Sequence, residues 1–479
     1  MNEYVIGIDI GTQGARVALI QTNGFVIASA SVPFTLTAQS REEQSPDMWW
    51  DHTLTALQKV SKQISKLIPP RAIKAIATTS TSGTVIPINE NGQALHPALM
   101  YSDQRSLEEG RRCQRLAKQH NPRGFTGFNA SSGLSKICWF SRNYPEKAKQ
   151  VYKWIHAADF ITGKLCGRFD VTDYTNALKT GYDVGSYAWP SYLDQLVPRH
   201  HLQEVVASGT IVGKLQASLA KELQIPEIEV VVGLTDGCAS QMASGAIKPG
   251  DWNTTIGTTM VIKGVTEKNI IDPSGSIYCH RHPEGFWMPG GASNTGADWV
   301  SLDFNKEELP QLNEQAAQLM PSSFLAWPLR QKGERFPFTA PHAKGFAPQG
   351  LSKQVLYTAN MEGVAYIERY AYEQIERLSS EPVRAIFTAG GASNSASWLR
   401  IRSNVLNKPI YKGREATGVL GAAICAASQT TFRSLTDAVK QMTQIEEEVF
   451  PEESLSAIYE ENYHKFIQLL IDKQYLAIC

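Results

Sequence analysis

The sequence predicts an α/β protein with two similar domains in tandem. The chain has 479 residues, which is more than one ordinary hydrophobic core needs and suits two large domains. Apolar strand-like runs alternate with stretches of helical periodicity. A strand, a Gly-Thr turn and a second strand occur at residues 4–20 and again at 252–263. We therefore expect a duplicated domain, with the two copies at 1–246 and 247–479.

The first domain is expected to open with an antiparallel meander. Residues 4–10 form a mostly apolar run, the tight turn 11–14 follows, and residues 16–20 form a second apolar run. Asn23-Gly24 is a strong signal for a two-residue hairpin and leads into a third strand at 25–28. The first three strands are therefore expected to lie side by side.

The rest of the first domain is expected to combine helices with short strands. Ser45-Pro46-Asp47 is typical of a helix start, and apolar residues then recur at helical spacing as far as Ile64. Residues 73–78 and 85–88 are typical of strands. The stretch 130–225 is expected to be largely helical.

The second domain is expected to repeat this organisation. Residues 230–233 predict a buried strand shortly before the domain boundary. Residues 252–256 and 260–263 predict a strand pair around the second Gly-Thr turn. Residues 385–388 predict a strand that ends in a glycine-rich loop, and a helix is expected from about Ala396.

The composition argues against several classes of protein. Lys plus Arg and Asp plus Glu each total 46, so no net charge favours nucleic acid or an anionic membrane surface. The N-terminus has no basic and apolar leader, and no apolar run reaches membrane-spanning length. Seven scattered cysteines form no CxxC pair, which argues against zinc sites and disulfides and favours a reduced, cytoplasmic compartment.

The first hairpin carries the strongest chemical signal. Gly11 and Thr12 at its tip can direct backbone N–H groups and a hydroxyl at phosphate oxygens, because glycine lets the backbone approach closely. Asp9, at the end of the preceding strand, can hold a hydrated Mg²⁺, which prefers oxygen ligands. The alternative is an ordinary hairpin turn without a ligand.

Three further segments can complete such a site. Asp236 follows a buried strand, where α/β enzymes place their reactive groups, and it can act either as a general base or as a helix cap. The second hairpin tip, Gly257–Thr259, can hold the outer phosphates of a nucleotide. The loop Gly390–Asn394 joins a strand to a helix and can pass close to a nucleotide, although it can equally be a plain turn.

Other nucleotide-binding signatures are absent from the sequence. Neither Gly163-Lys164 nor Gly213-Lys214 belongs to a Walker A loop, and no GxGxxG motif follows an early strand. The protein-kinase catalytic loop and the HExxH zinc motif are missing as well.

Taken in order, the motifs resemble the FGGY family of carbohydrate kinases, which belongs to the actin, hexokinase and heat-shock ATPase superfamily. The likeness spans essentially the whole chain. It is carried by Ile8–Thr12, Glu43–Trp50, His96–Arg105, Gly233–Gly237, Ile256–Thr259, Gly390–Trp398 and Glu415–Ala423. The resemblance implies two actin-like, ribonuclease H-like domains that flank a cleft for ATP and a sugar. The first domain would mainly bind the sugar, and the second would mainly bind ATP.

The resemblance also implies roles for individual residues. Asp236 is the expected catalytic base, and Asp9 is the expected Mg²⁺ ligand. The residues expected to contact ATP are Gly11, Thr12, Gln13, Arg16, Gly257, Thr258, Thr259, Gly390, Gly391, Asn394, Ser395 and Trp398. The residues expected to contact the sugar are Asp9, Ser82, Gly83, Asp103 and Asp236. Either Asn394 or Ser395 would contact adenine, and Trp398 would either stack on adenine or pack its own helix.

The segment Thr79–Thr84 narrows the expected substrate. Xylulokinases typically carry Met-His-Gly here, whereas this Ser/Thr-rich version, together with Gly14-Ala15-Arg16, resembles a branch associated with D-ribulose. The expected reaction converts ATP and D-ribulose to ADP and D-ribulose 5-phosphate at the terminal hydroxyl of the ketopentose, with Ser82 as a sugar contact. D-xylulose or another ketose or polyol is the alternative acceptor.

Two functions of a different class stay open. An actin-like or heat-shock-like ATPase would hydrolyse ATP without a sugar, and a non-catalytic sugar sensor would have lost a catalytic carboxylate. Asp9, Asp236 and the segment Tyr101–Arg105 favour the kinase. ATP, Mg²⁺ and a small sugar are therefore the expected ligands, with no nucleic-acid or membrane partner, and a homodimer is compatible with the expected fold.

Overall fold

A computed structural model describes residues 2–65, 67–122 and 127–476, which form two compact units. The first unit contains the chain as far as Gly245, together with His280–Phe286 and Glu415–Gln444. The second unit contains Ala246–Cys279, Trp287–Arg414 and the chain from Ile445 onward. A single division between 246 and 247 therefore does not describe the compact units, because two segments of the later sequence return to the first unit.

Helices are distributed over both units. The helices of the described chain are α1 (Pro46–Ile64), α2 (Leu107–His120), α3 (Gly133–Asn143), α4 (Pro145–Ala148), α5 (Ala157–Cys166), α6 (Tyr174–Ala177), α7 (Ala217–Leu223), α8 (Asp236–Ser244), α9 (Asp298–Asp303), α10 (Leu309–Leu319), α11 (Lys353–Ser379), α12 (Ala396–Leu406), α13 (Gly418–Ala427), α14 (Leu435–Met442) and α15 (Glu453–Asp472).

The strands are mostly short. They are β1 (Tyr4–Ile10), β2 (Gly14–Gln21), β3 (Val26–Pro33), β4 (Glu43–Gln44), β5 (Ile73–Ser80), β6 (Val85–Ile88), β7 (Ala98–Leu99), β8 (Lys153–His156), β9 (Val171–Asp173), β10 (Glu204–Val206), β11 (Ile211–Lys214), β12 (Glu229–Val231), β13 (Asp251–Ile256), β14 (Met260–Gly264), β15 (Tyr278–Arg281), β16 (Trp287–Ser293), β17 (Ala385–Ala389), β18 (Ile410–Gly413) and β19 (Ile445–Val449).

The two largest sheets have the same arrangement at their centres. The sheet of the first unit has the order β11-β12-β5-β1-β2-β3, with β1 parallel to β5 and antiparallel to β2. The sheet centred in the second unit has the order β15-β16-β14-β13-β17-β18-β19, with β13 parallel to β17 and antiparallel to β14. Each sheet therefore has a central strand with a hairpin partner on one side and a parallel strand on the other. This arrangement confirms the predicted α/β class and the duplicated pattern.

Helix α1 begins where the sequence predicts. The Ser45 hydroxyl accepts a hydrogen bond from the backbone N–H of Met48 (3.2 Å), and Pro46 is the first helical residue. The apolar face, which includes the buried Trp49 and Val60, packs on β2 and β3. The cap and the helical spacing of apolar residues therefore act together to place this helix on the sheet.

The stretch 130–225 is less helical than predicted. Its helices α3 to α7 alternate with the strands β8 to β11. Strand β8 has only four residues and pairs antiparallel with β6, and Trp154, Ile155 and His156 are buried in it. In an apolar run this short, periodicity does not distinguish a buried strand from a helix. Whether the run forms a strand therefore depends on the presence of a strand with which it can pair.

Helix α13 is buried in the first unit, although it comes from the later part of the sequence. It packs on β1, β5 and α8. A Cβ at Gly7 would lie 2.1 Å from the carbonyl oxygen of Val419, and one at Gly421 would lie 2.1 Å from that of Ala239. Glycine at both crossings therefore lets the helix approach the strand and the neighbouring helix closely. Without α13, the core of the first unit would be incomplete.

The six cysteines in the described part of the chain are free thiols, and Cys479 lies outside the described residues. Over residues 2–65, 67–122 and 127–476, no helix combines the length and the apolar character that a membrane crossing requires.

Candidate active site

The two acidic residues singled out in the sequence lie at the same end of the sheet of the first unit. Asp9 is the penultimate residue of β1, which runs parallel to β5. Ser80, the last residue of β5, forms a parallel bridge with Thr235, and α8 begins directly afterwards with Asp236. The carboxyl ends of parallel strands meet at one edge of a sheet, so both carboxylates belong to one site.

The carboxyl group of Asp9 is hard to ionise in this position. Burial and the neighbouring charge of Asp236 raise its pKa to about 6, against an opposing effect of Arg16. A Cβ at Gly418 would lie 3.0 Å from Cγ and Oδ2 of Asp9, so the first residue of α13 leaves room for the carboxylate. Two carboxylates that destabilise each other's charge form a site that favours a cation.

Hydrogen bonds fix the start of α8. Oδ1 of Asp236 accepts the backbone N–H of Gly237 (2.7 Å), and the N–H of Thr235 donates to the hydroxyl of Thr175 (2.8 Å). The side chain of Asp236 is half-buried. The N-cap of α8 is Thr235, so Asp236 is the first helical residue and not the cap that the sequence allowed, and its charge acts on Asp9 from this position.

The first Gly-Thr hairpin presents backbone donors without protein acceptors. The N–H of Gly11 donates to the carbonyl oxygen of Gly14 (3.1 Å) and closes the turn. Within the described chain, the N–H groups of Thr12 and Gln13 donate to no protein atom. The exposed Arg16 side chain lines the same cavity as this turn. The structure therefore brings together the four residues of the first unit that were predicted to contact phosphate.

The second hairpin repeats this arrangement in the second unit. The N–H of Gly257 donates to the carbonyl oxygen of Thr259 (3.0 Å), and the carbonyl of Gly257 accepts the N–H of Ala297 (2.8 Å). The N–H groups of Thr258 and Thr259 have no acceptor among the residues that the structure describes. Each unit thus carries one turn with two available N–H groups, an arrangement that suits oxyanions.

The glycine-rich loop lies beside the second hairpin. Gly390 has a φ of 87°, and a Cβ there would lie 2.5 Å from the carbonyl oxygen of Ile256, the last residue of β13. Only glycine combines this backbone conformation with such a close approach. Gly391 and Asn394 are exposed on the loop, whose last residues form a short 3₁₀ turn.

The two residues predicted to contact adenine have different surroundings in the structure. The hydroxyl of Ser395 accepts the N–H of Trp398 (3.2 Å) and donates to Oδ1 of Asn313 (2.6 Å), so it caps α12. The exposed amide of Asn394 makes no hydrogen bond within the described residues. Asn394 is therefore the residue whose side chain is available to a ligand.

Trp398 lies in the core of the second unit. Its side chain is 2% exposed, and its ring centroid lies 5.7 Å from that of Trp299. Because a side chain buried to this extent has no ring face left for a base, the expected stacking on adenine is wrong. The alternative, in which Trp398 packs its own helix, describes the structure.

The residues predicted to contact the sugar have different surroundings. The hydroxyl of Ser82 is buried without a hydrogen-bond partner in the described structure. Gly83 has a φ of 85°, and a Cβ there would lie 2.5 Å from the carbonyl oxygen of Ser131, so glycine is required for packing. Asp103 is 1% exposed, and both of its oxygens accept from the guanidinium of Arg105 (3.0 and 2.9 Å). Asp103 therefore anchors Arg105, and the expected direct contact with the sugar is not supported.

Two buried polar groups near α8 were not predicted. The hydroxyl of Ser80 and the side-chain oxygen of Asn176 have no hydrogen-bond partner in the described structure. Ser80 pairs with Thr235, and Asn176 follows Thr175, whose hydroxyl also contacts Thr235. Buried polar atoms normally have partners, so these two atoms are candidates for contact with a polar ligand. Ser80 belongs to the Ser/Thr-rich segment Thr79–Thr84, which the sequence singled out, whereas no sequence motif marks Asn176.

The acidic pair suits a metal ion with few protein ligands. Among the described residues, no group of three or more His, Cys, Asp or Glu side chains is arranged to hold a metal. Mg²⁺ is usually bound through one or two carboxylates, together with substrate phosphates and water. Asp9 and Asp236 provide such a donor set in the same unit as the first hairpin.

Family models match both parts of the chain. The N-terminal domain of the FGGY family of carbohydrate kinases matches residues 4–243, and the C-terminal domain of the same family matches residues 252–430. A gluconokinase of Bacillus subtilis is 27% identical and covers 100% of this chain and 98% of its own length. A xylulose kinase of Escherichia coli is 25% identical and covers 97% of this chain and 98% of its own length.

Solved structures agree with the family match. A ligand-bound xylulose kinase from Lactobacillus acidophilus superposes with a TM-score of 0.86 at 23% identity, covering 98% of both chains. The glycerol kinase of Plasmodium falciparum with ADP gives a TM-score of 0.84 at 15% identity, covering 100% of this chain and 99% of its own. The fold is thus the two-domain, actin-like fold. Since the two family models account for most of the sequence, this chain belongs to the FGGY family of carbohydrate kinases and is a sugar phosphotransferase.

Proposed function

We propose that the protein transfers the terminal phosphoryl group of ATP to the terminal hydroxyl of a ketopentose, with D-ribulose as the favoured acceptor. The observation that carries the proposal is the occurrence, in one unit, of a carboxylate pair, a turn with available N–H groups and buried hydroxyls without partners. Relatives named xylulose kinase and gluconokinase support a polyhydroxylated acceptor.

Asp236 is the proposed general base. A base must lie within hydrogen-bond reach of the proton that it accepts, and Asp236 is half-buried at the edge of the sheet where ligands of α/β enzymes bind. By accepting the proton of the sugar hydroxyl as the new O–P bond forms, it makes that oxygen a better nucleophile.

Asp9 is the proposed anchor for Mg²⁺. Its carboxylate is an oxygen donor beside a second carboxylate, as Mg²⁺ requires. When bound, the ion neutralises the charge that develops on the transferred phosphoryl group. Asp9 holds the cation in its deprotonated form, so its pKa of about 6 predicts weaker metal binding below that pH.

Each unit has its own proposed nucleotide contacts: the first hairpin in the first unit, and the second hairpin with the glycine-rich loop in the second unit. The N–H groups of Thr12, Gln13, Thr258 and Thr259 are available for phosphate oxygens, and Arg16 adds a positive charge. Backbone donors fixed in tight turns need no rearrangement when negative charge develops, which is the property that stabilises a phosphoryl-transfer transition state. Asn394 is the proposed contact to the adenine base.

The assignment of adenine contact to Asn394 makes a testable prediction. Asn394→Ala should raise the KM for ATP several-fold while leaving thermal stability unchanged, because its amide makes no contact within the described protein. Ser395→Ala should instead lower the free energy of unfolding by about 1 kcal/mol, because it removes a helix cap. ATP saturation curves at saturating sugar and thermal melts of both variants measure these effects. The opposite pattern would assign the contact to Ser395.

Buried polar groups support a polyhydroxylated acceptor. The oxygens of Ser80, Ser82 and Asn176 lack partners in the described structure and can be satisfied by sugar hydroxyls. The Ser/Thr-rich segment Thr79–Thr84 contributes two of these three groups, and it resembles the segment of a family branch associated with D-ribulose. Gluconate is a second candidate acceptor, because a gluconokinase is among the relatives.

A coupled ADP-release assay over many acceptors tests the substrate. We expect the highest kcat/KM with D-ribulose, followed by D-xylulose, when both are compared with L-ribulose, L-xylulose, glycerol, ribitol and gluconate at saturating ATP and Mg²⁺. ADP release without a sugar should be far slower, because the proposed phosphoryl acceptor is a sugar hydroxyl and not water. Fast sugar-independent hydrolysis would favour the ATPase alternative, and a clear preference for gluconate would overturn the ketopentose assignment.

Location and assembly stay predictions from the sequence. The scattered cysteines favour a cytoplasmic setting, and a homodimer is compatible with the fold. No nucleic-acid or membrane partner is proposed.

A further inference from the structure

A cavity of about 780 Å³ opens beside the first hairpin, and all the residues that line it belong to the first unit. One side is the hairpin tip, and the other is formed by residues between Leu36 and Gln44 together with Tyr101 and Ser102. A cavity of this volume suits a small molecule. Neither acid of the proposed catalytic pair lines it.

Hydrogen bonds hold the wall of the cavity in place. The amide of Gln44, which is 4% exposed, donates to the carbonyl oxygens of Thr12 (3.1 Å) and Ser40 (3.0 Å). The hydroxyl of Ser102 donates to the carbonyl oxygen of Arg41. The backbone that carries Arg41 is therefore tied on both sides, to the hairpin through Gln44 and to the neighbouring loop through Ser102.

The charged groups that line the cavity are both positive. Arg16 and Arg41, both exposed, are among the lining residues, and no acidic residue is. The guanidinium of Arg41 forms no ion pair or hydrogen bond within the described chain. Arg105, on the next loop, is instead neutralised by Asp103 and Glu43. The guanidinium of Arg41 is therefore available for bidentate hydrogen bonds to an oxyanion.

We propose that this cavity contains an oxyanion-binding subsite centred on Arg41, which takes the carboxylate or phosphate group of a small molecule. Arg41 is not among the residues proposed to contact the phosphates of ATP, although the first hairpin lines the same cavity. Two sources share this chemistry. One is a charged group on the acceptor itself, as in a sugar acid, and the other is a free anion such as inorganic phosphate or a phosphorylated sugar.

Direct binding of inorganic phosphate tests the subsite without relying on the proposed kinase reaction. Phosphate is titrated by calorimetry into the full-length, nucleotide-free protein at constant ionic strength. We expect Arg41→Gln to bind phosphate on the order of 10-fold more weakly than the unmodified protein, the size of effect for one charged hydrogen-bonding partner. Arg71→Gln is the matched control, because Arg71 is an exposed arginine of the same unit outside the cavity. Equal phosphate affinity in all three proteins would overturn the proposal.

Steady-state kinetics at saturating ATP and Mg²⁺ distinguish the two sources. If the anion belongs to the acceptor, Arg41→Gln lowers kcat/KM for gluconate about tenfold and leaves that for neutral ketoses unchanged. If the anion is a separate molecule, added phosphate changes ketose turnover in the unmodified protein and in Arg71→Gln, and the change disappears in Arg41→Gln.

A third result would assign the cavity to the nucleotide alone. In that case Arg41→Gln raises the KM for ATP by the same factor as the loss of phosphate affinity, and phosphate competes with ATP. This outcome would refute a separate subsite while leaving the proposed kinase function intact. Thermal melts accompany each measurement, and they should coincide because the guanidinium of Arg41 has no protein partner in the described chain.

Discussion

Asp236→Asn is expected to remove nearly all phosphoryl transfer while sugar binding stays measurable. The amide keeps the size of the side chain, and its oxygen can still accept the N–H of Gly237. It cannot take the proton of a sugar hydroxyl, so kcat should fall by about 10²- to 10⁴-fold, the usual contribution of general-base catalysis. Single-turnover kinetics measure the chemical step, and sugar titration of the variant measures binding.

Asp298→Asn is the matched control for this prediction. Asp298 also begins a helix, is half-buried, and accepts the N–H of the following residue, Trp299 (2.9 Å). If the only role of Asp236 were to start α8, the two variants would lose similar stability and Asp236→Asn would keep near-normal turnover. Such retained turnover would rule out Asp236 as the base.

Asp9→Asn is expected to raise the stability of the ligand-free protein. The same substitution is expected to abolish catalytic activity. Burial and the charge of Asp236 raise the pKa of Asp9 to about 6, so its ionised form is disfavoured in the folded state. A shift of this size corresponds to at most ~3 kcal/mol at pH 8, which the neutral amide would recover. Activity should be lost because the amide is a poor Mg²⁺ anchor.

The pH dependence of this stability difference provides a second check. A raised carboxyl pKa means that the folded state binds more protons than the unfolded state between about pH 4 and pH 6. The cost of ionised Asp9 is therefore fully present above pH 6 and decreases as the pH falls. The stability advantage of Asp9→Asn should shrink by roughly half between pH 8 and pH 5. An advantage that is absent at pH 8, or that grows in acid, would contradict this account.

Local signals in the sequence predicted much of the fold. The Gly-Thr turns, the Asn-Gly hairpin and the Ser-Pro cap depend on a few adjacent residues, and the structure has the corresponding turns and helix start. The order of these segments was enough to indicate the family. The short strands β8 to β11 were missed, because their existence depends on partners distant in sequence.

The candidate site was predicted less completely, because the surroundings of a side chain depend on non-local packing. Asp103 and Trp398 occupy motif positions, yet one is paired with Arg105 and the other is packed in the core. Conversely, Asn176 belongs to no motif, and it became visible only because its oxygen is buried without a partner. Motifs therefore located the segments of the site, but they did not show which side chains are available to a ligand.

The position of α13 has a consequence for exchanging substrate specificity between members of this family. A chimera that joins the first 245 residues of one kinase to the remainder of another would combine β1 and α8 from one parent with α13 from the other. The contacts at Gly7 and Gly421 leave no space for a mismatched helix. A transplant of the first unit therefore has to include residues 280–286 and 415–444 from the same parent, so that the carboxylate of Asp9 and the Gly418 that accommodates it are inherited together.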